Sequence, residues 1–600
     1  MIVPMIKYAF LVYHRDFDAF LKNLQELGVV DIIRQNHELT DEDRVTLGRV
    51  NRFNAAIKAL QLRQPQAGEF TSAEAIVDEL EALTKEQEQQ EIAIKKAQKE
   101  LNEVLPWGNF NPEAIKELGD KGIKVRFFTT SEKSYSPEWE NEMPIEVINR
   151  VAGQVYFVVL QQNEEIEFTY DAAELKAPLF SYSQKEEEIK QFEQRISEIN
   201  VKLDQLAAGL PLLQQELTKM VNDLDFKEVA YSANKEANDS LMILQGWVPQ
   251  PQNDELVKFL EKESIIYISE RAAKTDNAPI LLKNNRFAKL FEPIGALFTS
   301  PTYGELDLTP LFAPFFMLFF GFCLGDAGYG ILLLLGATIA KFKVKKEMKP
   351  LLSLVQWLSV ATVLFGAITG TLFGISLVDV DIPILDGFKK YIFDQNNMFN
   401  LALGLGAIQI IFGMFVKAAN QIKLYGWVHS LSTFGWLLLL LGSAAVYGLS
   451  TKEGSEIQLF GNLHIGILAV AGIGIFFFNS PGKNPFINVG LGLWDSYNMA
   501  TGLFGDLLSY IRLFALGLSS GILGNVFNSL AFGMSPDIPV VGAIITVLIL
   551  IVGHSINLFM SALGSLVHPM RLTFVEFYKN AGFTGGGKGY TPFKKQNVNV

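Results

Sequence analysis

The stretch from Ser496 to Leu530, SYNMATGLFGDLLSYIRLFALGLSSGILGNVFNSL, is apolar enough to lie in a bilayer and carries Arg512 near its middle. Asp506 stands six residues before this arginine, and Ser509 stands one helical turn before it. A helix of this length, rising ~1.5 Å per residue, exceeds the roughly 30 Å hydrocarbon core, so it must tilt, bend or protrude. A guanidinium at mid-membrane costs at least ~2.5–3.5 kcal/mol, so this stretch predicts a special environment for Arg512.

Two interpretations of Arg512 remain open from the residues alone. In the first, the arginine is held in a structural ion pair, for which Asp506 is the nearest candidate. In the second, it faces a water-filled cavity, a partner protein or an ion path, because ionisable residues inside a membrane usually mark such paths. The residue type and its depth favour the second interpretation.

Composition divides the 600 residues into two halves. Residues 1–300 are charged and soluble in character, residues 301–580 are a succession of long apolar runs, and the mean hydropathy of +0.21 averages the two. The net charge of −13 argues against a nucleic-acid partner. The single cysteine, Cys323, excludes an internal disulfide framework. The first apolar run, Tyr8 to Tyr13, is too short for a signal peptide, so we expect the N-terminal half to stay in the cytosol.

Heptad spacing is the main signal in the N-terminal half. Apolar residues alternate spacings of three and four without a miss: Ile189, Phe192, Ile196, Ile199, Leu203, Leu206, Leu210, Leu213, Leu217, Met220 and Leu224. Sustained heptads with Glu, Gln and Lys between them predict a long antiparallel coiled coil with an earlier helical stretch of the chain. Pro211 should bend the second helix. The alternative is two ordinary amphipathic helices on a globular core.

Strand and helix patterns flank this helical pair on both sides. The sequence therefore predicts a cytosolic α/β dumbbell, divided as follows: 1–40 and 241–300 in a proximal α/β lobe, 41–105 and 181–240 in the coiled-coil pair, and 106–180 in a distal α/β lobe. A small β-α-β unit opens the proximal lobe. Strand candidates in the distal lobe are Lys124–Thr129 and Gln154–Leu160.

The long apolar runs in residues 301–580 predict an α-helical polytopic membrane domain, and a cytosolic tail is expected at 581–600. Eight spans are expected, at about 309–324, 326–342, 351–376, 398–418, 428–449, 462–478, 494–532 and 539–578. Because eight is an even number, both ends of this domain should lie on the same side of the membrane.

Loop charges predict which side that is. Basic residues follow every second span: Lys341, Lys343, Lys345, Lys346, Lys349, Lys417, Lys423, Lys483, Arg571, Lys579, Lys588, Lys594 and Lys595. The opposite loops carry Asp379, Asp381, Asp386, Asp394, Glu453, Glu456 and Asp537 against Lys389, Lys390 and Lys452. The positive-inside rule therefore predicts that both termini are cytoplasmic.

The last predicted span is unusually polar. It carries His554, Asn557, His568, Arg571 and Glu576, and His568 and Arg571 lie one turn apart on one face. One interpretation is the cytosolic flank of a helix, with side chains that snorkel to the headgroups, and the sequence favours it for Glu576 and Lys579. For the deeper His554 and Asn557, interhelical hydrogen bonds are an equal alternative.

No cofactor or metal site is expected. Catalytic serine or cysteine arrangements and clusters of metal ligands are absent from the sequence. The run from Gly582 to Lys588 has the spacing of a phosphate-binding loop, but Gly589 stands where Ser or Thr should hold magnesium and no strand precedes it. The sequence therefore argues against a nucleotide site there.

Four segments together resemble the a subunit of rotary V-type and A-type ATPases, called subunit I in bacteria. They are PTYGELDLTPLFAPFFMLFFGFCLGDAGYG at 301–330, DLLSYIRLFALGLSSG at 506–521, LVHPMRLTFVEFYKN at 566–580 and LQGWVP at 244–249. The resemblance extends over essentially the whole chain. It implies an ion-translocating subunit without an active site of its own, in a bacterial inner membrane. The implied partners are the ring of c-type subunits, E/G-type peripheral stalks, the central-stalk region and the lipid bilayer.

The resemblance also implies site residues. The family's essential arginine corresponds to Arg512, and its second functional arginine corresponds to Arg571. Ser561 and Ser520 stand where eukaryotic relatives often carry a glutamate and a histidine. Residues expected to line or support ion half-channels are Asp506, Ser509, His554, Asn557, Ser561, His568 and Glu576.

The implied mechanism passes an ion through two half-channels to a carboxylate on the ring, with Arg512 between the half-channels. Whether the ion is a proton or sodium is not decided by this chain. A rival interpretation is a secondary transporter with a regulatory cytosolic domain. That class predicts internal repeats and paired broken helices, and no repeat relates the first four spans to the last four.

Overall fold

The structure of the protein is a computed structural model that describes residues 1–35, 40–68, 70, 72–162, 169–274, 276–376, 395–451, 460–480, 482, 484–536 and 538–596. Several loop charges used in the topology prediction lie outside the described residues: Asp379, Asp381, Asp386, Lys389, Lys390, Asp394, Lys452, Glu453, Glu456, Lys483 and Asp537. The chain forms two compact units. The first is Met1–Ile33 with Ala233–Phe593, and the second is Arg34–Ser232 with Lys594–Val600.

The N-terminal half alternates short strands with helices of very different lengths. Its elements are β1 (Met5–Tyr13), α1 (Phe17–Leu27), β2 (Asp31–Ile32), α2 (Asp41–Leu60), α3 (Ala73–Val104), α4 (Pro112–Asp120), β3 (Ile123–Ser131), α5 (Trp139–Glu142), β4 (Ile145–Val151), β5 (Gln154–Gln162), β6 (Ala173–Leu175), α6 (Tyr182–Leu206), α7 (Leu210–Tyr231), β7 (Asn234–Glu236), β8 (Leu241–Pro249), α8 (Asn253–Lys262) and β9 (Ile266–Arg271).

The first unit contains an antiparallel sheet in the order β2-β8-β1-β9, with β7 paired to β8. Alternate residues of β1 point into the core, and Phe10 contacts Phe20 of α1 with ring centroids 5.6 Å apart. The predicted β-α-β unit is present in split form, because β8 lies between β1 and β2 and pairs antiparallel with both. A strand from residues 241–249 therefore completes a lobe that residues 1–33 begin.

Four long helices dominate the second unit. Helix α3 packs along α6, and α2 packs along α7. Helices α3 and α6 run antiparallel, because Arg195 pairs with Glu86 at 2.7 Å while the earlier Lys185 pairs with the later Glu100 at 2.6 Å. Their facing apolar residues form one core: Val50, Phe53, Ile57, Leu60, Ile76, Val77, Leu80, Leu83, Ile199, Leu203, Leu206, Leu213 and Met220.

The helix interruption in this unit falls close to the predicted proline. After α6 the backbone forms a 3₁₀ turn, Ala207–Gly209, and α7 begins at Leu210 with Pro211 in its first turn. A proline is tolerated at that position because the amide it lacks has no intrahelical partner there. The helices exist as predicted, whereas knobs-into-holes packing between them stays a prediction.

A second antiparallel sheet in this unit has the order β4-β5-β3-β6. Strands β3 and β5 contain the two predicted strand candidates and pair with each other along their whole length. The core on one face includes Phe128, Val155, Phe157 and Val159, whose alternation along the strands produced the sequence signal.

The second half of the chain is almost entirely helical. Its elements are α9 (Arg286–Ala296), α10 (Thr309–Leu324), α11 (Ala327–Lys343), α12 (Lys349–Thr369), β10 (Thr371–Leu372), β11 (Ile375–Ser376), α13 (Gln395–Tyr425), α14 (Leu431–Ser450), α15 (Asn462–Phe477), α16 (Pro485–Ser509), α17 (Ile511–Gly533), α18 (Pro539–Arg571), a π-helix (Leu572–Phe577) and α19 (Tyr578–Asn580).

The chain is a multi-pass membrane protein. Within the described residues, five helical segments are long and apolar enough to cross a bilayer: Lys346–Thr369, Asn397–Tyr425, Trp427–Ser450, Pro485–Gly533 and Val540–Asn580. Two shorter apolar helices, Thr309–Leu324 and Asn462–Phe477, accompany them. An arrangement of eight spans stays a prediction.

The third predicted span, 351–376, ends earlier than expected. Helix α12 stops at Thr369 because Gly370 adopts a left-handed conformation with φ of 66°. The next residues form a two-stranded hairpin of β10 and β11, with Phe373 and Gly374 in its turn. A Cβ atom on Gly374 would lie 2.3 Å from the backbone of Gly524, so this turn approaches α17 very closely.

The glycine-rich run at 582–589 is explained by backbone crowding. A Cβ atom on Gly587 would lie 1.9 Å from the carbonyl oxygen of Pro301, so no larger residue fits where the chain passes Pro301. Gly585 has a φ of 68°, which favours glycine. Backbone geometry therefore accounts for glycine at these two positions.

Beyond these glycines the C-terminal segment lies against the lobe that residues 1–33 begin and residues 241–249 complete, which is here called the first lobe. The amide of Ile280 donates to the carbonyl of Lys588 at 2.7 Å, and the amide of Tyr590 donates to the carbonyl of Ile280 at 3.0 Å. The Tyr590 hydroxyl donates to the carbonyl of Val29 at 2.6 Å. The amide of Phe593 donates to the carbonyl of Val30 at 2.7 Å, and its ring is buried. Residues from both ends of the chain thus share one lobe.

Candidate functional site

The long stretch around Arg512 is two helices rather than one. Helix α16 ends at Ser509 and α17 begins at Ile511, so the helical hydrogen-bond pattern is interrupted at Tyr510. The Tyr510 ring is fully buried, and its hydroxyl donates to the Gln409 side chain at 2.7 Å. A Cβ atom on Gly406 would lie 2.4 Å from this ring, so the glycine makes room for it. The Tyr510 side chain is thereby held at the junction of the two helices, and Arg512 lies in the first turn of α17.

The ion pair between Asp506 and Arg512 that the first interpretation required is not formed. The Asp506 carboxylate instead accepts hydrogen bonds from Lys579 at 3.1 Å and from the Asn580 side chain at 2.8 Å. Six residues place two helical side chains about 120° apart around the axis, which keeps them from facing each other. Among the residues that the structure describes, Arg512 forms no ion pair or hydrogen bond through its guanidinium.

Helices α17 and α18 run antiparallel, and glycines on α18 fix their register. A Cβ atom on Gly553 would lie 2.6 Å from the ring of Phe527, and one on Gly564 would lie 3.9 Å from Leu516. These two contacts are eleven residues apart on each helix. One further turn along the pair puts Arg512 opposite His568.

Arg571 lies three residues beyond His568, which is about 4.5 Å along the helix axis. Both guanidinium groups interact electrostatically with the His568 imidazole. The two arginines therefore lie within about one helical turn of each other along the axis of the helix pair. Arg512 is partly covered by protein, while Arg571 is exposed.

Deeper along the pair, polar side chains form a continuous chain of hydrogen bonds. The Tyr329 hydroxyl lies 2.7 Å from Nδ1 of His554, and Nε2 of His554 lies 3.0 Å from the side-chain oxygen of Asn528. Asn557 donates to the Tyr329 oxygen at 2.8 Å and accepts from Ser561 at 3.1 Å. Interhelical hydrogen bonds, the alternative left open for His554 and Asn557, are therefore present.

The partners in this chain fix the direction of each hydrogen bond. The Asn528 amide nitrogen donates to the carbonyl of Phe373 at 2.8 Å, so its oxygen faces His554 and accepts from Nε2. Nδ1 of a neutral imidazole must then accept, which makes the Tyr329 hydroxyl the donor. The network thus assigns His554 the tautomer that carries its hydrogen on Nε2.

A buried carboxylate holds the start of α11 beside this network. Asp326 accepts from the amides of Gly328 at 2.8 Å, Tyr329 at 3.2 Å, Phe373 at 2.9 Å and Gly374 at 2.7 Å. It therefore caps α11 and binds the β10–β11 turn at once. Asp326, Tyr329 and Asn528 are site residues that were not predicted from the sequence. An acidic residue inside an apolar run was the available signal for Asp326.

The prediction that Glu576 lies on a solvent-facing flank of the last helix is wrong. Its side chain is only 1% exposed, and it lies in the π-helix Leu572–Phe577. Ser509 lies beside its carboxyl group, and the Oε2 atom has no hydrogen-bond partner among the described residues. Lys579 keeps a side chain that is 56% exposed, but its ammonium binds Asp506. The predicted residues Ser509, Asp506 and Glu576 are thus brought together. They lie on the side of Arg512 that is away from the His554 network.

Within the described residues, no group of three or more His, Cys, Asp and Glu side chains has the geometry to hold a metal ion. The chemistry that the arrangement offers is that of fixed charge and hydrogen bonding. Two arginines lie beside a histidine, with polar networks above and below them along the same helix pair.

Comparisons with known proteins show which family this chain resembles. The family model of the V-type ATPase 116kDa subunit family matches residues 31–355, more than half of the chain. The V-type ATP synthase subunit I of Borreliella burgdorferi is 26% identical over 83% of this chain and 83% of its own length. The A-type ATP synthase subunit I of Methanocaldococcus jannaschii is 29% identical over 73% of this chain and 67% of its own length.

A relative in Treponema pallidum, V-type ATP synthase subunit I 1, is 25% identical over 99% of this chain and all of its own length. A solved structure of the cytoplasmic N-terminal domain of subunit I, homolog of subunit a, of V-ATPase covers 44% of this chain at 16% identity. Its TM-score of 0.22 establishes no common fold by itself. On the match of the family model, the chain belongs to the V-type ATPase 116kDa subunit family.

Proposed function

We propose that this chain is the stator membrane subunit of a rotary V/A-type ATPase and forms the ion half-channels beside the ring of c-type subunits. Its relatives are named V-type and A-type ATP synthase subunit I, and it carries several helices able to cross a membrane. The observation that supports the channel role best is Arg512, a cation on an apolar helix with no ion-pair partner among the described residues. ATP chemistry then belongs to partner subunits.

The proposed arrangement has eight spans, which adds Ala327–Lys343 to the five long and two shorter apolar helices. The lysines after α11 support an orientation with both termini in the cytoplasm. The relatives named from bacteria support a bacterial inner membrane as the location. In this proposal residues 1–300 form the dumbbell with the lobe and coiled-coil boundaries given above. That domain links the membrane part to E/G-type peripheral stalks and to the central-stalk region.

Arg512 acts in this mechanism as a fixed positive charge between the half-channels. An ion reaches a ring carboxylate through one half-channel, rides the rotation and leaves through the other. As the carboxylate passes Arg512, the guanidinium favours its ionised form and so promotes ion release. The same charge repels a cation that would cross directly from one half-channel to the other. Arginine suits this role because it stays protonated when desolvated.

The neighbours of Arg512 support this division of roles. Arg571 lies at nearly the same level and adds a second positive charge, next to His568. Asp506, Ser509 and Glu576 are candidate supports or lining groups on one side of the arginines. His554, Asn557 and Ser561 are candidates on the other, where their hydrogen-bonded chain offers polar groups in an otherwise apolar helix pair.

The deciding experiment compares Arg512→Lys and Arg512→Ala in the complete complex. Because neither substitution touches a nucleotide site, the assembled complex should still bind ATP. Both should abolish ATP-driven ion uptake into vesicles, measured per assembled complex. Arg15→Ala, a change at an exposed arginine in a turn of the cytosolic lobe, provides the control and should leave uptake unchanged.

Substantial uptake by the Arg512→Ala complex would overturn the mechanism. A purely structural arginine predicts a different pattern, in which alanine lowers assembly and lysine restores both assembly and uptake. The absence of a pair between Asp506 and Arg512 makes normal assembly of both variants the expected result.

A further inference from the structure

The short connection between α11 and α12 is the most basic segment of the membrane half. Its sequence, KFKVKKEMKP at 341–350, has five lysines against one glutamate in a chain with a net charge of −13. Lys341 donates to the Gln356 side chain at 3.0 Å. Within the described part of the chain, the ammonium groups of Lys343, Lys345, Lys346 and Lys349 have no ion-pair or hydrogen-bond partner, and all four residues are exposed. This segment is here called the lysine turn.

Large apolar side chains stand uncovered directly beside these lysines. Leu335, Ile339 and Phe342 follow one face of α11, and Phe342 is 86% exposed. Met348 and Leu351 are exposed at the start of α12. An aromatic ring without protein cover, between lysines at the end of a membrane-length helix pair, matches the boundary between acyl chains and headgroups.

Helix α9 packs against α12 and carries further basic residues. The ring of Phe287 contacts that of Trp357 of α12 edge-on, with centroids 5.4 Å apart. Tryptophan is enriched at membrane–water interfaces. Arg286 and Lys289, on either side of Phe287 in the sequence, are exposed. Cations from α9 and from the lysine turn thus flank one helix, α12.

We propose that the lysine turn, with the exposed basic residues of α9, is a binding site for anionic phospholipid headgroups in the adjacent leaflet. Four unpaired ammonium groups complement phosphate and phosphoglycerol charges, while Phe342 and Leu351 contact the acyl chains below them. Orientation by the positive-inside rule needs only a charge bias during insertion. A lipid site goes further, because it predicts selective retention of anionic lipid by the folded protein.

The test uses the full chain in nanodiscs of phosphatidylcholine with trace spin-labelled phosphatidylglycerol or spin-labelled phosphatidylcholine. The measured quantity is the immobilised fraction of each lipid. The native protein should retain phosphatidylglycerol preferentially, and this preference should fall as salt is raised. Replacement of Lys343, Lys345, Lys346 and Lys349 by glutamine should reduce the preference by roughly tenfold or more, because each lysine near a surface contributes roughly fivefold.

Two controls separate this site from net charge and from orientation. Arginine at the same four positions should preserve the preference. Glutamine at four exposed lysines of the second unit, Lys116, Lys121, Lys133 and Lys176, should leave it unchanged. An unchanged preference in the first glutamine variant, or an equal loss in the second, would overturn the proposal. If the first variant inserts incorrectly, the native protein's own salt titration decides, since a preference insensitive to salt would also overturn it. None of these readouts depends on ion transport.

Discussion

The hydroxyl of Tyr329 donates a hydrogen bond to Nδ1 of His554 at 2.7 Å, across 225 residues of sequence. This contact joins α11 to α18, the helix that also carries Arg571. Because the Tyr329 oxygen accepts from Asn557 as well, one phenol satisfies two side chains of α18. The position of α18 relative to α11 therefore depends strongly on a single hydroxyl group.

Tyr329→Phe removes that hydroxyl and leaves His554 Nδ1 without its donor. The expected loss of stability is about 1–3 kcal/mol, the range for a buried polar group that loses its partner. Unfolding can be followed through the single thiol, Cys323, which is buried and reacts with a maleimide only when the membrane helices separate. Tyr447→Phe, at an exposed tyrosine of α14, is the control and should not change the midpoint. Equal midpoints for the native and Tyr329→Phe proteins would contradict the assigned network.

The partner of Asp506 can be identified by double-mutant cycles. The structure predicts a coupling of at least about 0.5 kcal/mol between Asp506→Ala and Lys579→Ala, since their charged groups are 3.1 Å apart and Asp506 is buried. Between Asp506→Ala and Arg512→Ala the coupling should stay within about 0.3 kcal/mol. The same thiol-reactivity assay measures both cycles. A reversed order of the two couplings would restore the pair with Arg512.

The helical core of the second unit should not accept charge at its centre. Ile199→Asp and Leu206→Asp each place a carboxylate among buried apolar residues, at an expected cost of more than about 3 kcal/mol. Val201→Asp, on the exposed side of the same helix, should cost less than about 0.5 kcal/mol. Hydrogen exchange in peptides from α3 and α6 measures the difference. Loss of peripheral-stalk binding in the first two variants alone would support the proposed tether role.

The stability of this unit should depend on pH through Lys185 and Glu100. Burial of Lys185 opposes its charge, but hydrogen bonds to Glu100 and Glu188 outweigh burial and raise its pKa. The hydrogen bond from Lys185 lowers the pKa of Glu100. A depressed carboxyl pKa stabilises the fold at neutral pH and ceases to do so as pH falls through it. A raised lysine pKa ceases to stabilise as pH rises through it.

Lys185→Met should therefore weaken the acid dependence of hydrogen exchange in peptides around Glu100. In the native protein, exchange corrected for its intrinsic rate should accelerate below the ordinary pKa range of glutamate. If the variant retains that acceleration in full, a different carboxylate is responsible.

Membrane orientation can be tested with single cysteines. A cysteine at Thr451, exposed at the end of α14, should react with an impermeant thiol reagent added outside intact cells. A cysteine at Lys345 should react only after the cells are opened. The native Cys323 is buried and supplies the unreactive background. Labelling of the Lys345 variant from outside would invert the proposed topology.

Individual helices and strands could be predicted from the sequence, because the residue patterns that indicate them lie within each element. The alternation Gln154–Leu160 became β5, and the heptads after Ile189 became α6 and α7. Strand order did not follow, because nothing near β1 or β2 in the sequence indicates that β8 lies between them. The end of α12 was missed because its hairpin is almost as apolar as the helix before it.

The candidate site shows the same limit. Arg512 and Arg571 were found from residue type within apolar runs and from the resemblance. For Asp506 the sequence offered Arg512 only as a candidate partner, whereas the partner in the structure, Lys579, is 73 residues away. Tyr329 was not singled out from the sequence, and only its distance to His554 reveals its position in the network.

The contacts of the C-terminal segment determine when the first lobe can be completed during synthesis. Val29 and Val30 are synthesised before the membrane helices, but the groups that cover their carbonyls, Tyr590 and Phe593, follow all of those helices in the chain. Every membrane helix must therefore be inserted before the first strands of the protein reach their final environment. A chain stalled anywhere in the membrane half therefore leaves the carbonyls of Val29 and Val30 without these two donors.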